Sequence, residues 1–193
     1  VQPAMPAGAE EGILKGIYRF KAAENGGKKL RAQLLGSGAI LNEVLKAQHM
    51  LAVDFGVAAD VWSVTSYKEL RRDALDIDRY NLLHPGNGHK TPYVTQCLTD
   101  TQGPIVATSD HVKELPDSLA RWMPRPLTSL GTNGFGRSES RRALRDFFEV
   151  DARYIVYATL VALARDTAIE WDVVKKAGKK LDIDPDKRNP MNT

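Results

Sequence analysis

The chain has 193 residues, enough to bury one substantial core, and one domain is the natural count. Apolar residues make up 42% and charged residues 26%, ordinary values for a soluble globular protein, and a net charge of +3 gives no general electrostatic case for nucleic acid. The longest apolar run, 154–164, is about half of a membrane span, which argues against a membrane partner.

In chain order, residues 1–12, with Pro3, Pro6 and Gly8, read as an interdomain linker, and 13–193 as the domain. Val1 in place of methionine, before a Pro/Ala/Gly stretch, suggests a fragment cut within that linker. Residues 12–22 predict a first strand, closed by an Asn25-Gly26-Gly27 turn. Residues 30–35 predict a second strand, which Gly36-Ser37-Gly38 turns into a helix. That helix carries Ile40, Val44, Ala47, Leu51 and Phe55 at steps of three and four and stops at Gly56. Residues 60–64 predict a strand with Thr65 as its turn. Ser66, with Glu69 three residues on, makes a capping box for a helix reaching about Tyr80.

Residues 84–91, rich in proline and glycine, predict a loop, and 93–98 and 105–107 predict further strands. The single cysteine, Cys97, falls in the first of these and reads as a small buried residue. With no second cysteine for a disulfide and no Cys/His spacing for zinc, a reducing cytoplasm fits. Ser109-Asp110 predicts the cap of a short helix ending before Pro124, and 127–130 a strand. A glycine turn then leads to a helix with Ser138 as its N-cap and Glu139 just inside. Asp151 caps a strongly apolar helix to about Ala164, and a short polar helix lies near 172–181.

Strands alternating with helices, several of them wholly apolar, imply a largely parallel sheet covered on both faces. The first strand meets the second through a turn too tight for a crossover, so it runs against most of the others. The expectation is a three-layer α/β/α fold with a mixed, mostly parallel sheet of about five strands.

The most informative stretch is LGTNGFGRSESRRALRDFFEVD, from Leu130 to Asp151. Phe135 stands between two glycines at the turn tip, either as a core plug or as an anchor into a neighbouring surface. Arg137 beside it could pair with a carboxylate across such a surface, and arginine and aromatic residues are common interface anchors. Gly131-x-x-Gly134-x-Gly136 has the wrong order for a dinucleotide fingerprint, which needs the close pair first and a later acid on a strand. The cluster Arg137, Arg141, Arg142 and Arg145 is diluted by Glu139, Asp146 and Glu149 and reads as a solvated helix face.

Other candidate sites fail on spacing. Asp182, Asp184 and Asp186 begin like a calcium loop, but Thr193 stands at its twelfth position where glutamate is needed. His49, His84, His89 and His111 have no acid or nucleophile at useful spacing, and there is no nucleophile elbow or Walker loop. No catalytic, cofactor-binding or metal-binding residue is expected within the chain. One pattern remains: Gly36-Ser37-Gly38, Thr65-Ser66, Ser109-Asp110 and Thr132-Asn133 all fall between a strand and a helix. Such turns gather at the carboxyl edge of an open sheet, where Ser37, Thr65 and Ser66 could hold a small organic anion. The same residues also serve as N-caps, and the sequence leaves both readings open.

The Leu130–Asp151 segment closely resembles the C-terminal domain of homodimeric bacterial pyruvate dehydrogenases, and more loosely that of transketolases. AMPAGAEEGILKGIYRF, QLLGSGAIL, DVWSVTSYKELRRD, NLLHP, PYVTQ and IDPDKRNP resemble the same family in the same order. The resemblance implies a five-stranded sheet with one antiparallel strand. It also implies a cytoplasmic, homodimeric bacterial enzyme that uses thiamine diphosphate and magnesium to decarboxylate pyruvate and acetylate the lipoyl group of dihydrolipoyl acetyltransferase. The family's cofactor motifs, a Gly-Asp-Gly start and a distal Asn-Asn, are absent from this chain. The implied role is therefore a non-catalytic domain serving dimer or complex assembly, whose partners are the rest of its own chain, a second subunit and the acetyltransferase. A regulatory domain binding small organic anions is the alternative.

Overall fold

The computed structural model describes residues 3–23, 27–86 and 88–193. Five strands form one sheet: β1 (Ile17–Lys21), β2 (Leu30–Ser37), β3 (Val57–Val64), β4 (Ile105–Thr108) and β5 (Leu127–Leu130). Their order is β1-β3-β2-β4-β5, with β1 antiparallel to β3 and the other pairs parallel. The expected mixed sheet and reversed first strand are both present. The reversal arises by β1 pairing with β3 instead of with β2, and the Asn25-Gly26 part of the anticipated turn lies outside the described residues.

Every residue of β3 is buried, and so is β2 from Ala32 onward, as a sheet covered on both faces requires. On one face lie α2 (Leu41–Asp54), α7 (Ala152–Arg165) and α8 (Trp171–Lys180). Val44, Ala47, Leu51, Ile155 and Leu160 close there over Leu34, Val61 and Val106. On the other lie α3 (Tyr67–Leu83) and α4 (Tyr93–Thr99), where Leu70, Ala74, Val94 and Leu98 meet Leu35, Val64 and Ile105. Two short helices, α5 (Glu114–Asp117) and α6 (Arg141–Phe147), flank the last strand in sequence.

Four local expectations are corrected. Residues 12–15, expected to open the first strand, belong instead to α1 (Glu10–Lys15), so the last part of the expected linker is helical as well. Glu10 and Glu11 sit in its first turn and Lys15 in its last, the arrangement that suits the helix dipole, and Gly16 at φ 102° ends it. Residues 93–98 are helical, because burial of Val94 and Leu98, four apart, follows the helix period while Gln96 caps back onto the Thr91 carbonyl at 2.6 Å. Cys97 is therefore half-buried on α4, and burial pushes its thiol above the usual cysteine value. The short helix after β4 starts at Glu114 behind Lys113, not behind Ser109-Asp110; the Ser109 hydroxyl accepts instead from the His111 amide at 3.2 Å. Finally, α6 is capped by Ser140, whose Oγ accepts from the Ala143 amide at 3.3 Å, and Ser138 and Glu139 lie outside it.

Two N-caps agree with the sequence, although the expected capping box at Ser66 is half formed, its own amide donating to the Gly16 carbonyl at 3.2 Å. Ser66 Oγ accepts from the Glu69 amide at 3.1 Å, and Asp151 Oδ1 accepts from the amides of Arg153 and Tyr154 at 2.9 and 3.2 Å.

Candidate functional site at the carboxyl edge of the sheet

From β2 the chain goes first to β3 on one side and later to β4 on the other, so the strand order diverges between β2 and β4. In an open α/β sheet, such a divergence leaves a crevice at the carboxyl ends of the strands. A cavity of about 350 Å³ opens there. Ala39 and Ile40 come from the 3-10 turn after β2, Asp110 from the turn after β4, and Thr132, Gly134, Gly136, Arg137, Arg141, Leu144, Arg145, Phe148 and Val150 from the chain beyond β5.

The turn beyond β5 is held from two sides. Thr132 Oγ1 donates to the Asp110 carbonyl at 2.8 Å, and Asn133 Oδ1 accepts from the Lys113 amide at 2.8 Å. Gly134, at φ 98°, lies against the C-terminal segment so closely that a Cβ would stand 2.5 Å from the Pro190 carbonyl oxygen. Lys187 Nζ donates to the Asp146 carbonyl and, at 3.2 Å, to the Tyr154 hydroxyl, which ties that segment to α6 and α7.

The wall formed by α6 is fastened by one buried carboxylate. Glu43 on α2 accepts from Arg145 Nη1 at 2.9 Å and Lys46 Nζ at 2.8 Å through one oxygen, and from the Ala152 amide at 3.3 Å through the other. Nothing in the local sequence marks Glu43; it sits at a core-facing helix position where a carboxylate is out of place, and that misfit is the only signal.

The three residues expected to gather an anion are not brought to one cavity. Ser37 is buried at the end of β2 and makes no capping bond. The Thr65 hydroxyl donates to the Ile13 carbonyl at 2.8 Å, and the Ser66 hydroxyl is committed to its cap. Phe135 is 81% exposed, so it does not fill this chain's own core. Arg137 folds back from it, with its guanidinium carbon 4.2 Å from the Phe147 ring centroid, a cation–π contact at the cavity wall.

Among the described residues, no three His, Cys, Asp or Glu side chains gather as metal ligands. No helix among the described residues is long and apolar enough to cross a membrane.

Residues 16–151 match the family described as transketolase-like TK C-terminal domain. The chain belongs to this family. Over its full 193 residues the domain is 50% identical to the pyruvate dehydrogenase E1 component of Pseudomonas aeruginosa, covering 22% of that protein. It is 49% identical over 189 residues to the E1 component of Escherichia coli K12, covering 97% of this chain and 21% of that one. The domain thus spans about a fifth of the curated relatives it matches, in their C-terminal part. Among solved structures, a Leishmania mexicana transketolase superposes with a TM-score of 0.55 at 16% identity, covering 85% of this chain and 20% of that chain. A Pichia stipitis transketolase does so with a TM-score of 0.56 at 17% identity, covering 86% of this chain and 20% of that chain. At such identities the superpositions speak for the fold.

Proposed function

We propose that the chain is the C-terminal domain of a thiamine-diphosphate- and magnesium-dependent pyruvate dehydrogenase, and that it serves assembly, not chemistry. The full enzyme decarboxylates pyruvate and acetylates the lipoyl group of dihydrolipoyl acetyltransferase in the bacterial cytoplasm. Its cofactor is held by other domains of the homodimer. Identity of 50% along the whole chain to an E1 component supports the enzyme assignment.

The observation that carries the assembly role is Phe135. A phenylalanine left 81% exposed on a turn that is hydrogen-bonded on both sides is an apolar surface held ready for a neighbour. Met191, 55% exposed, extends it beside the Gly134 contact. Burying one phenylalanine side chain is worth about 1.5–3 kcal/mol. In the full-length enzyme, Phe135→Ala is therefore expected to raise the dimer dissociation constant, measured by sedimentation, by at least about tenfold. Cofactor affinity per intact dimer should stay unchanged. An unaltered dissociation constant, with unaltered melting of the full-length enzyme, would sink the assembly role.

A further inference from the structure

The cavity at the β2/β4 divergence has a chemistry that assembly does not use. Its floor is apolar: Ile40, Phe148 and Val150 are buried, and Leu144 is half-buried beside them. Its rim is cationic. Arg145 is neutralised by Glu43, but Arg137 and Arg141 make no ion pair among the described residues, and the one carboxylate on the rim is Asp110. Arg137 is held in place by stacking on Phe147, so its guanidinium edge stays free to meet a ligand without further ordering.

We infer that this cavity binds a small organic carboxylate with an apolar body, aromatic or branched aliphatic. The apolar floor takes the body, and the forked donors of Arg137 and Arg141 take the carboxylate, a bidentate geometry that guanidinium favours. Inorganic phosphate would use the rim and gain nothing from Ile40 or Val150. An uncharged hydrocarbon would use the floor and make nothing of the exposed guanidinium groups of Arg137 and Arg141. The volume, about 350 Å³, lies at the small end of ligand pockets, which excludes a dinucleotide or a peptide helix as the occupant. The sequence left an anion at the ends of β2 and β3 open beside N-capping; Arg137 and Arg141 both lie in the chain beyond β5 instead.

The probe is 8-anilino-1-naphthalenesulfonate, an aromatic anion whose fluorescence rises in apolar sites, titrated into the full-length protein. Saturable binding is expected, weakened about tenfold in Arg141→Ala, which loses one charge-assisted contact. Arg141→Lys should recover part of that loss, since lysine supplies charge without the fork. Ala39→Phe, which fills the cavity while keeping every charge, should abolish it. Both positions are exposed, and melting curves verify folding; if one variant fails to fold, the other still decides. Phenylacetate should displace the probe and 2-phenylethanol should not. The inference is overturned by absent saturable fluorescence, as when another segment of the full-length chain fills the cavity. Equal affinity in the folded variants, or equal displacement by the alcohol, overturns it too. Anion affinity and dimer dissociation are separate readouts, so this inference and the assembly role can fail independently.

Discussion

Replacing Glu43 with alanine removes the buried carboxylate that ties α2 to α6 and to the start of α7. The Glu43 side chain is 7% exposed, and its main partner, Arg145, keeps 21% of its side chain in solvent. Removing one partner of a buried ion pair costs about 3–5 kcal/mol, because the other is left buried and uncompensated. Water reaches Arg145 in part, so the lower end, about 3 kcal/mol, applies. The Ala152 amide also loses its acceptor, but at 3.3 Å that bond is long and adds less than about 1 kcal/mol. Lys46, 65% exposed, contributes little, as exposed ion pairs do. The sum is about 3–4 kcal/mol, which for a chain of this size lowers the melting temperature by roughly 6–16 °C. Circular dichroism during heating and urea titration measures it. Glu43→Gln keeps the shape and the acceptor while losing the charge, and should cost about half as much. A double-mutant cycle with Arg145→Ala should return a coupling of about 1–3 kcal/mol. A loss below about 1 kcal/mol in Glu43→Ala, or additive behaviour in the cycle, would show that α6 is held by its apolar contacts alone.

Two further substitutions test the packing. The Tyr67 hydroxyl is buried and has no hydrogen-bond partner among the described residues, so Tyr67→Phe should stabilise the chain by about 1 kcal/mol in urea titration; destabilisation would reveal an unseen partner. Burial raises the Tyr67 pKa well above its ordinary value. Above pH 10 or so, the unfolded state therefore releases a proton that the folded state keeps, and stability falls as pH rises. Tyr67→Phe should flatten that alkaline decline, and an identical decline in the variant would assign it to other groups. Gly103 has φ 79°, and a Cβ there would stand 1.8 Å from the Arg31 carbonyl oxygen. Because backbone cannot yield cheaply, Gly103→Ala should cost more than about 4 kcal/mol, and a chain melting within a few degrees of the wild type would refute the close approach.

The sequence determined what depends on neighbours along the chain. The run of apolar residues in β2 and β3 can be buried only on both faces, and the steps of three and four from Ile40 to Leu51 produce one apolar stripe; both are local periodicities. The caps at Ser66 and Asp151 were readable for the same reason, since each acceptor reaches an amide two or three residues away. Family membership, too, was carried by short stretches in order.

Where two local solutions were nearly equal, tertiary packing chose. Residues 93–98 have residues suited to a strand, yet burying Val94 and Leu98 against Leu35 and Ile105 decided for a helix. Ser138 was the expected cap, yet placing Leu144 and Phe148 over the core goes with a helix that starts later, behind Ser140. The cavity was out of reach of sequence reasoning because its parts come from three separate turns. The order β3-β2-β4-β5 brings Ile40, Asp110 and Arg137 together, and no periodicity along the chain encodes that order. Local sequence could place Ser37, Thr65 and Ser66 near the same edge, but only the closed structure shows that Thr65 and Ser66 are committed to nearby backbone. It also leaves Arg137 and Arg141, read from sequence as part of a solvated face, at an apolar wall with no ion pair among the described residues.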